Sequence, residues 1–441
     1  GAWVSALSAG ASDMSAWVLM GLPASIYLSG MGQTWIAIGL GIGYAVSWIV
    51  MAPRLRRFSI AAGDSITIPQ YLTNRFLSKN KSLQILSAVI FLVAYTIYAA
   101  SSIKACGTLF HTVIDVNPTV AMYIAAFIIV AYTFLGGFSA VCWTDFFQGM
   151  IMLAALLVAP LFALALAKAG EGAVAGATLP EGFFNFFTTP QDIISGLGWG
   201  LGYFGMPHII IRFMSLKSEK ELRKSSVIGI SWTTIILIMS ALTAVAGRLY
   251  LGEIDDPSTV FITMVRRIFP ALVSGLLLSA ILSAAMSTAD SQLLAASSAF
   301  ASDVYKPVIR KKASDSEMLW AGRIVVIVIA VVALMIASDP NSGSIMGLVE
   351  NAWGVFGAAF GPVILLSLFW KRLTFGGTVA GIAAGAAVDI LWLVFLSSTD
   401  IYEIVPGFAA GLLAAVVVSL LSKGPGKDVE DLFDRAVDLK S

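Results

Sequence analysis

Residues 196–213 read GLGWGLGYFGMPHIIIRF, and this stretch decides the fold. Five glycines, at positions 196, 198, 200, 202 and 205, occur within ten residues and are followed by Pro207. Each glycine weakens a helix by roughly 1 kcal/mol relative to alanine, and the proline removes a helical hydrogen bond. The segment is otherwise apolar, and irregular backbone inside a bilayer is tolerated only against protein or a watery cavity. We therefore predict a helix that is unwound near mid-membrane.

The composition is that of an integral membrane protein. The chain has 441 residues, of which 58% are hydrophobic and 12% charged, whereas soluble domains usually carry about 25% charged residues. Its mean hydropathy is +0.88. The net charge is +1, and no basic tract with interleaved aromatic residues points to a nucleic-acid partner. His111 and His208 are isolated in the sequence, and without a nucleophile–base set we predict no enzymatic activity.

Twelve segments, numbered here as spans one to twelve, have the length of about 20 apolar residues that crossing a bilayer requires. They are residues 2–28, 33–53, 83–113, 119–136, 143–167, 191–213, 226–250, 270–300, 319–337, 345–369, 376–397 and 404–421. The connecting loops alternate between basic and acidic, and the positive-inside rule places the basic loops and Gly1 in the cytoplasm. Arg266 and Arg267 depart from this rule, because they fall on the outer side. The sequence predicts an all-α, multi-pass protein of the cell membrane.

Span one carries a second interruption. Residues 5–17 read SALSAGASDMSAW, in which small residues surround Asp13. Spans one and six stand five spans apart, which is the layout of a five-plus-five inverted repeat with a substrate and an ion bound at the two breaks. The alternative is a pair of close-packed, glycine-rich helices of purely structural use. The charged residue inside one break argues against that alternative.

Asp13 is costly inside an apolar span, by roughly 2.5–3.5 kcal/mol on insertion scales. We expect its carboxylate to face the helix bundle and to meet a cation, a donor or exposed backbone N–H groups. A structural role is the alternative, in which Asp13 caps the second half of the broken helix. The two roles can coexist.

Span eight contains residues 274–300, SGLLLSAILSAAMSTADSQLLAASSAF, with a serine at positions 279, 283, 287 and 291. We interpret this four-residue spacing as one stripe on one helix face, flanked by Thr288 and Asp290. Hard cations take oxygen ligands, so the hydroxyls of Ser287 and Thr288, with free carbonyls of an unwound helix, would form a neutral, weak cage. The alternative for each hydroxyl is a bond to the carbonyl four residues earlier.

Asp145 lies at the predicted start of span five, near the cytoplasmic side. A carboxylate in a first helical turn complements the helix dipole. The alternative is a second ion site or exit site shared with Asp290.

Several aromatic residues lie near the two breaks. They are Trp17, Tyr98, Trp199 and Tyr203. Rings at such a place can stack on a ring-shaped solute and hold an ammonium group over the π face. Plain packing is the alternative for each ring taken alone.

Five stretches carry a family likeness across essentially the whole chain. They are ALSAGASDMSAWVLMGLP, YTFLGGFSAVCWTDFFQ, GWGLGYFGMPHIIIRFM, LLSAILSAAMSTADSQLL and AWGVFGAAFGPVILLSLFWKR. They closely resemble the solute:sodium symporter family and, within it, the members that carry proline. Such members commonly have thirteen helices, ten of which form a LeuT-type core. Twelve spans here would correspond to loss of the first, non-core helix.

The resemblance implies an organisation and a set of ligands. Residues 1–170 would be the first five-helix repeat, 190–370 the second, 375–422 two additional helices and 423–441 a cytoplasmic tail. The sodium ion would bind the backbone carbonyls of Ala11, Met14 and Ala284 and the hydroxyls of Ser287 and Thr288. L-Proline would lie between Ser15, Trp17, Tyr98, Trp199, Tyr203, Pro207, Gly275, Ser279 and Gln292. Ion coupling would be supported by Asp13, Asp145, Asp290 and Ser291.

One position departs from the family pattern, and other functions stay open. Position 290 is aspartate where some members have a hydroxyl residue, so the number of sodium ions and the involvement of a proton are undecided.

A different solute on the same machinery is the nearest alternative: another amino acid, a sialic acid, a sugar or a vitamin. The few hydroxyl-binding groups argue against a sugar. A transporter-like membrane sensor and a channel are further alternatives, and neither lipid contacts nor oligomeric state can be predicted.

Overall fold

The computed structural model describes residues 1–135, 138–172, 174, 178–216 and 218–439. Gly136 and Gly137, which belong to one of the family-like stretches, lie outside the described residues. So do Lys440 and Ser441, the last two residues of the predicted tail. The described part of the chain contains helices, turns and loops, and no strand.

The helices follow one another with short connections. They are α1 (Ala2–Asp13), α2 (Gly21–Ser29), α3 (Thr34–Val46), α4 (Ala52–Ala61), α5 (Ile68–Arg75), α6 (Ser82–Ile114), α7 (Pro118–Leu135), α8 (Phe138–Lys168), α9 (Pro190–Gly198), α10 (Pro207–Met214), α11 (Glu219–Leu251), α12 (Val260–Ile268), α13 (Ala271–Ala299), α14 (Asp315–Ser338), α15 (Ile345–Phe369), α16 (Phe375–Phe395), α17 (Ile404–Leu421) and α18 (Lys427–Asp438). A π-helical turn, Ser47–Met51, joins α3 to α4, and another, Phe300–Ile309, extends α13.

All twelve predicted spans are helical. Among the described residues, nine helices are long and apolar enough to cross a membrane without interruption. The other three spans are the shorter helix α7 and two broken pairs, α1 with α2 and α9 with α10. Spans one and six are therefore the two discontinuous crossings, as their glycine and small-residue patterns predict.

Several predicted boundaries are wrong. Spans seven and nine begin at Glu219 and Asp315, several residues before their predicted starts at 226 and 319. Helix α8 begins at Phe138 rather than at residue 143, because the apolar FSAVC segment continues the helix toward the cytoplasm. Span two does not end at residue 53, since α4 carries the helix on to Ala61. The earlier start of α8 changes the environment of Asp145, which lies two turns inside that helix.

The final two spans form a hairpin that packs on α15 through small residues. A side-chain carbon added at Gly385 would lie 2.1 Å from the carbonyl oxygen of Ala358, and one added at Gly411 would lie 2.9 Å from that oxygen. Only hydrogen fits at such contacts, so glycine lets the α16–α17 hairpin approach α15 closely.

The predicted amphipathic tail segment is confirmed as helix α18. Its apolar face buries Val429, Leu432, Phe433 and Ala436. The ring of Phe433 lies 5.1 Å from that of Phe58, and the guanidinium of the buried Arg75 lies 5.0 Å from the same ring. The tail helix is therefore docked on α4 and α5 rather than free at the surface.

Arg266 and Arg267 occupy the last turn of the short helix α12. Cations at that end of a helix complement its dipole, and Arg266 also donates a hydrogen bond to the carbonyl oxygen of Thr112. Their place on the outer side thus has a local cause.

Candidate functional site

The break in span one exposes backbone oxygens. Helix α1 ends at Asp13, Met14 leaves the helix with φ −78° and ψ 76°, and Ser15 is extended. A short 3-10 turn then leads to α2. The last carbonyls of a helix have no partner within that helix. Those of Ala11 and Asp13 consequently accept hydrogen bonds from other elements.

The break in span six is built from a 3-10 turn and an extended residue. Helix α9 passes into the 3-10 turn Trp199–Phe204, Met206 is extended, and α10 begins at Pro207. A side-chain carbon on Gly202 would lie 2.0 Å from Nε1 of Trp353. The glycines therefore both weaken the helix and allow the unwound segment to pack directly against α15.

Asp13 joins the two breaks. It is fully buried, and its Oδ2 accepts a hydrogen bond of 2.5 Å from the hydroxyl of Tyr203, whereas Oδ1 has no hydrogen-bond partner in the part of the chain that the structure describes. Its backbone oxygen accepts hydrogen bonds of 3.2 Å from the hydroxyl of Tyr98 and from Nε1 of Trp17. One residue thus holds α1, the 3-10 turn of span six and α6 together.

Neutral oxygens converge beside this aspartate. The hydroxyl of Ser287 lies 2.8 Å from the carbonyl oxygen of Ala11 and 3.2 Å from that of Ala284. The hydroxyl of Thr288 lies 3.4 Å from the same Ala11 oxygen. These groups are hard, uncharged ligands of the kind that suits a weakly held monovalent cation. Such a cation between them would connect α1 to α13.

Aromatic rings surround the breaks on the outer side. The ring centroid of Trp199 lies 6.4 Å from that of Trp17 and 5.0 Å from that of Tyr402. Nε1 of Trp353 donates a 2.8 Å hydrogen bond to the carbonyl oxygen of Trp199. Trp353 and Tyr402 were not singled out from the sequence, because nothing in their own segments indicates that α15 and the start of α17 reach the break.

The structure brings five of the nine predicted substrate residues together. They are Ser15, Trp17, Tyr98, Trp199 and Tyr203. Pro207 starts α10 and borders a cavity of about 520 Å³ on the cytoplasmic side, lined also by Phe91. Gln292 is buried one turn cytoplasmic of Thr288, and its side-chain amide has no hydrogen-bond partner among the residues described.

Gly275 and Ser279 are not brought to this site. They precede Thr288 on α13 by 13 and 9 residues, which at about 1.5 Å per residue is roughly 20 and 13 Å along the helix. Both residues line a separate groove on the outer side.

The prediction of one serine stripe is wrong. A step of four residues advances about 400°, so each serine is rotated by about 40° from the previous one, and Ser279 and Ser291 face directions about 120° apart. The hydroxyl of Ser279 donates a hydrogen bond to the carbonyl oxygen of Leu276 in its own helix, whereas Ser287 contacts α1 and Ser291 contacts α10.

A second polar cluster lies on the cytoplasmic side of the break. Asp145 is fully buried and forms a 3.0 Å ion pair with Arg212, and the hydroxyl of Ser8 donates a 2.6 Å hydrogen bond to the same carboxylate oxygen. The Arg212 guanidinium also donates to Ser8 at 2.8 Å and to Ser291 at 2.8 Å. The cluster therefore ties together α1, α8, α10 and α13. The first-turn dipole explanation of Asp145 is wrong, because its carboxylate is paired inside α8.

Asp290 adds a second carboxylate to this cluster. It is fully buried, and neither of its carboxylate oxygens has a hydrogen-bond partner among the described residues. Its charge interacts with those of Asp145 and Arg212. Arg212 and Ser8 were missed from the sequence, although an arginine inside a predicted span is the same kind of signal that identified Asp13.

Comparison with known proteins gives a consistent result. The family model for the sodium:solute symporter family matches residues 1–385. The high-affinity proline transporter PutP of Bacillus subtilis is 43% identical over 445 residues, which cover 99% of this chain and 94% of that protein. A sodium/proline symporter of Haemophilus influenzae is 44% identical over 455 residues, which cover 99% of this chain and 90% of that one.

Solved structures show the same fold at lower sequence identity. A sodium-coupled sialic acid symporter, determined in a substrate-bound outward-open state, aligns with a TM-score of 0.76 at 19% identity and covers 96% of this chain and 90% of its own. MhsT in complex with L-phenylalanine aligns with a TM-score of 0.60 at 14% identity and covers 95% of this chain and 97% of its own. The two breaks therefore belong to a LeuT-type five-plus-five core, to which α16 and α17 are added.

Proposed function

The chain belongs to the sodium:solute symporter family, and from that premise we propose that it carries L-proline into the cell together with sodium. It is a transporter and not an enzyme, it lies in the cell membrane, and sodium is its coupling ion. The observation that carries the proposal is the convergence of both helix breaks on Asp13 beside the oxygens of Ala11, Ser287 and Thr288.

The sodium ion binds between α1 and α13. Its ligands are the carbonyls of Ala11, Met14 and Ala284 and the hydroxyls of Ser287 and Thr288. The hydroxyl-to-carbonyl distances between α13 and Ala11 support this set. Asp13 contributes its negative charge close by and keeps the broken segment in shape through Tyr203.

Proline binds at the broken segments beside the aromatic rings. Its carboxylate lies near the backbone N–H groups that begin the 3-10 turn after Ser15, since the start of a half-helix attracts anions. Its ammonium group and ring lie over the π faces of Trp17, Tyr98, Trp199 and Tyr203. The contacts of Ser15, Trp17, Tyr98 and Tyr203 around Asp13 support this assignment. This assignment leaves out Gly275 and Ser279, which the family resemblance implies but which line a separate groove on the outer side.

Release to the cytoplasm passes Pro207 and the cavity that it borders. The Asp145–Arg212 cluster lies beside this route and connects the inner halves of spans one and six to α8 and α13. Asp145 and Ser291 thus support ion coupling by holding the inner halves until the ion leaves. Asp290 supports it through its charge next to Asp145 and Arg212. The two five-helix repeats of the transporter are residues 1–170 and 190–370, and residues 375–422 form the two added helices.

The available energy suffices for accumulation. One charge moving down 100 mV releases about 2.3 kcal/mol, and a tenfold sodium gradient adds about 1.4 kcal/mol. One sodium ion per proline therefore supports roughly several-hundred-fold accumulation. Coupling requires only that each ligand favour the state that binds the other.

Uptake of radiolabelled L-proline into proteoliposomes tests the proposal. Uptake should rise with an inward sodium gradient, and an equal potassium gradient should give only the leak of protein-free vesicles. Unlabelled proline should compete, whereas sugars, sialic acid and phenylalanine should not. Sodium-independent uptake would overturn the coupling, and sodium-driven uptake of a competitor but not of proline would overturn the substrate.

A further inference from the structure

A groove on the outer side of the molecule lies apart from the transport site. It has a volume of about 480 Å³ and runs between the outer ends of α6 and α13. Leu109, Phe110 and Val113 line one wall and Leu278 and Leu282 the other. The lining is mostly apolar, and the polar exceptions include Arg266 at the outer end.

This groove opens toward lipid. On the neighbouring face of α13, Leu272 and Leu276 are 79% and 64% exposed, and Ile114 at the end of α6 is 61% exposed. Large apolar side chains with that exposure in a membrane-spanning helix contact hydrocarbon. A side-chain carbon added at Gly275 would meet no atom within 4 Å, so the floor of the groove is open at that residue.

The length of the groove matches one leaflet. Its α13 lining extends from Ala271 to Leu282, which is about 16 Å along a helix. That is about half of the roughly 30 Å hydrocarbon core. One acyl chain of an outer-leaflet lipid therefore fits its long direction.

Arg266 lines the outer end of the groove, where a headgroup lies, and Arg267 is its neighbour in the last turn of α12. Arg266 and Arg267 are exposed at the end of α12, and among the described residues neither forms an ion pair. Both depart from the positive-inside rule, and beyond the helix dipole and the Thr112 carbonyl their charges remain available to an anion. Arginine pairs well with phosphate oxygens.

We propose that this groove binds an anionic phospholipid of the outer leaflet, with its phosphate at Arg266 and Arg267 and one acyl chain along Gly275 and Leu278. The site does not depend on which solute the protein carries. It gives the two outer arginines a function and assigns the open floor at Gly275 to the acyl chain.

Native mass spectrometry of the detergent-purified full chain tests the site. The protein is titrated with phosphatidylglycerol and with phosphatidylcholine of identical acyl chains. The wild type should retain phosphatidylglycerol preferentially. Arg267→Gln should lower that preference roughly fivefold and the Arg266→Gln/Arg267→Gln variant further, since one basic residue at an anionic lipid surface is worth about 1 kcal/mol.

Two further variants distinguish the contribution of the lipid's acyl chain from that of its headgroup. Gly275→Leu should fill the groove and lower retention of both lipids while leaving their ratio unchanged. Lys168→Gln removes another exposed cation at an outer helix end and should leave the preference intact. Equal retention of both lipids by the wild type, or an unchanged preference in the double arginine variant, would overturn the proposal. So would unaltered retention in Gly275→Leu.

Discussion

Asp13 and Asp389 are both fully buried carboxylates inside apolar spans, and their surroundings differ. Asp13 stands at the end of a broken helix, where Tyr203 donates to one oxygen and the neighbouring carbonyls face another helix. Asp389 lies within the unbroken helix α16, and neither of its oxygens has a hydrogen-bond partner among the described residues. A side-chain carbon on Gly354 would lie 2.9 Å from one of those oxygens.

The difference shows what makes a buried charge functional. Both carboxylates carry the cost of a charge in an apolar span, so that cost alone does not identify a transport site. Only the broken helix supplies unpaired backbone groups that can bind a solute or an ion. We therefore expect transport to depend on Asp13 and not on Asp389.

The largest effect is expected for Asp13→Asn. Asparagine has the shape of aspartate, but it lacks the negative charge beside Ala11 and is a weaker hydrogen-bond acceptor for the Tyr203 hydroxyl. Interactions of a charged group contribute about 1.5–3 kcal/mol, so the sodium concentration for half-maximal uptake should rise about tenfold to hundredfold. Proline uptake in proteoliposomes, measured against sodium concentration, checks this expectation.

Tyr203→Phe is the matched control for that experiment. It removes the hydroxyl that donates to Asp13 but keeps the carboxylate and the ring. Its sodium requirement should rise less than that of Asp13→Asn. Unchanged sodium dependence in Asp13→Asn would contradict the role given to this residue and erase the contrast with Asp389.

Asp145 adds a third case, a buried carboxylate with a buried cationic partner. Removing one member of a buried ion pair typically costs about 3–5 kcal/mol, whereas removing both costs much less. Arg212→Gln should therefore lower the melting temperature of the purified protein more than Arg212→Gln/Asp145→Asn does. A double variant that melts below Arg212→Gln would show that the pair does not act as a unit.

A smaller effect is expected from the tail helix. Phe433→Ala removes the ring that packs on Phe58 and Arg75, so α18 should undock and the connection before it should be cleaved faster by a protease. The sodium requirement should stay that of the wild type, because the tail lies away from both breaks. Asp431→Ala, an exposed change on the same helix, serves as the control. Equal cleavage rates in the two variants would contradict the docking.

Sequence patterns predicted the breaks because glycine, proline and small residues act locally on the helix that contains them. The partners of those breaks were harder to predict. Ser8, Arg212 and Trp353 matter through contacts with other helices, and which helices touch is decided by packing. The serine pattern misled for a geometric reason, since four-residue steps drift around a helix of 3.6 residues per turn.

The smallest effect, and the sharpest test of the comparison, is expected for Asp389→Asn. Asparagine fills the same space against Gly354 without placing a charge near Glu403, whose Oε1 also lacks a hydrogen-bond partner among the described residues. A buried charge without a partner is costly, so the variant should melt at or above the wild-type temperature. Its sodium requirement and proline uptake should be unchanged. A raised sodium requirement in Asp389→Asn would mean that a carboxylate in an unbroken span takes part in coupling, and a helix break would then no longer separate the functional charge from the structural one.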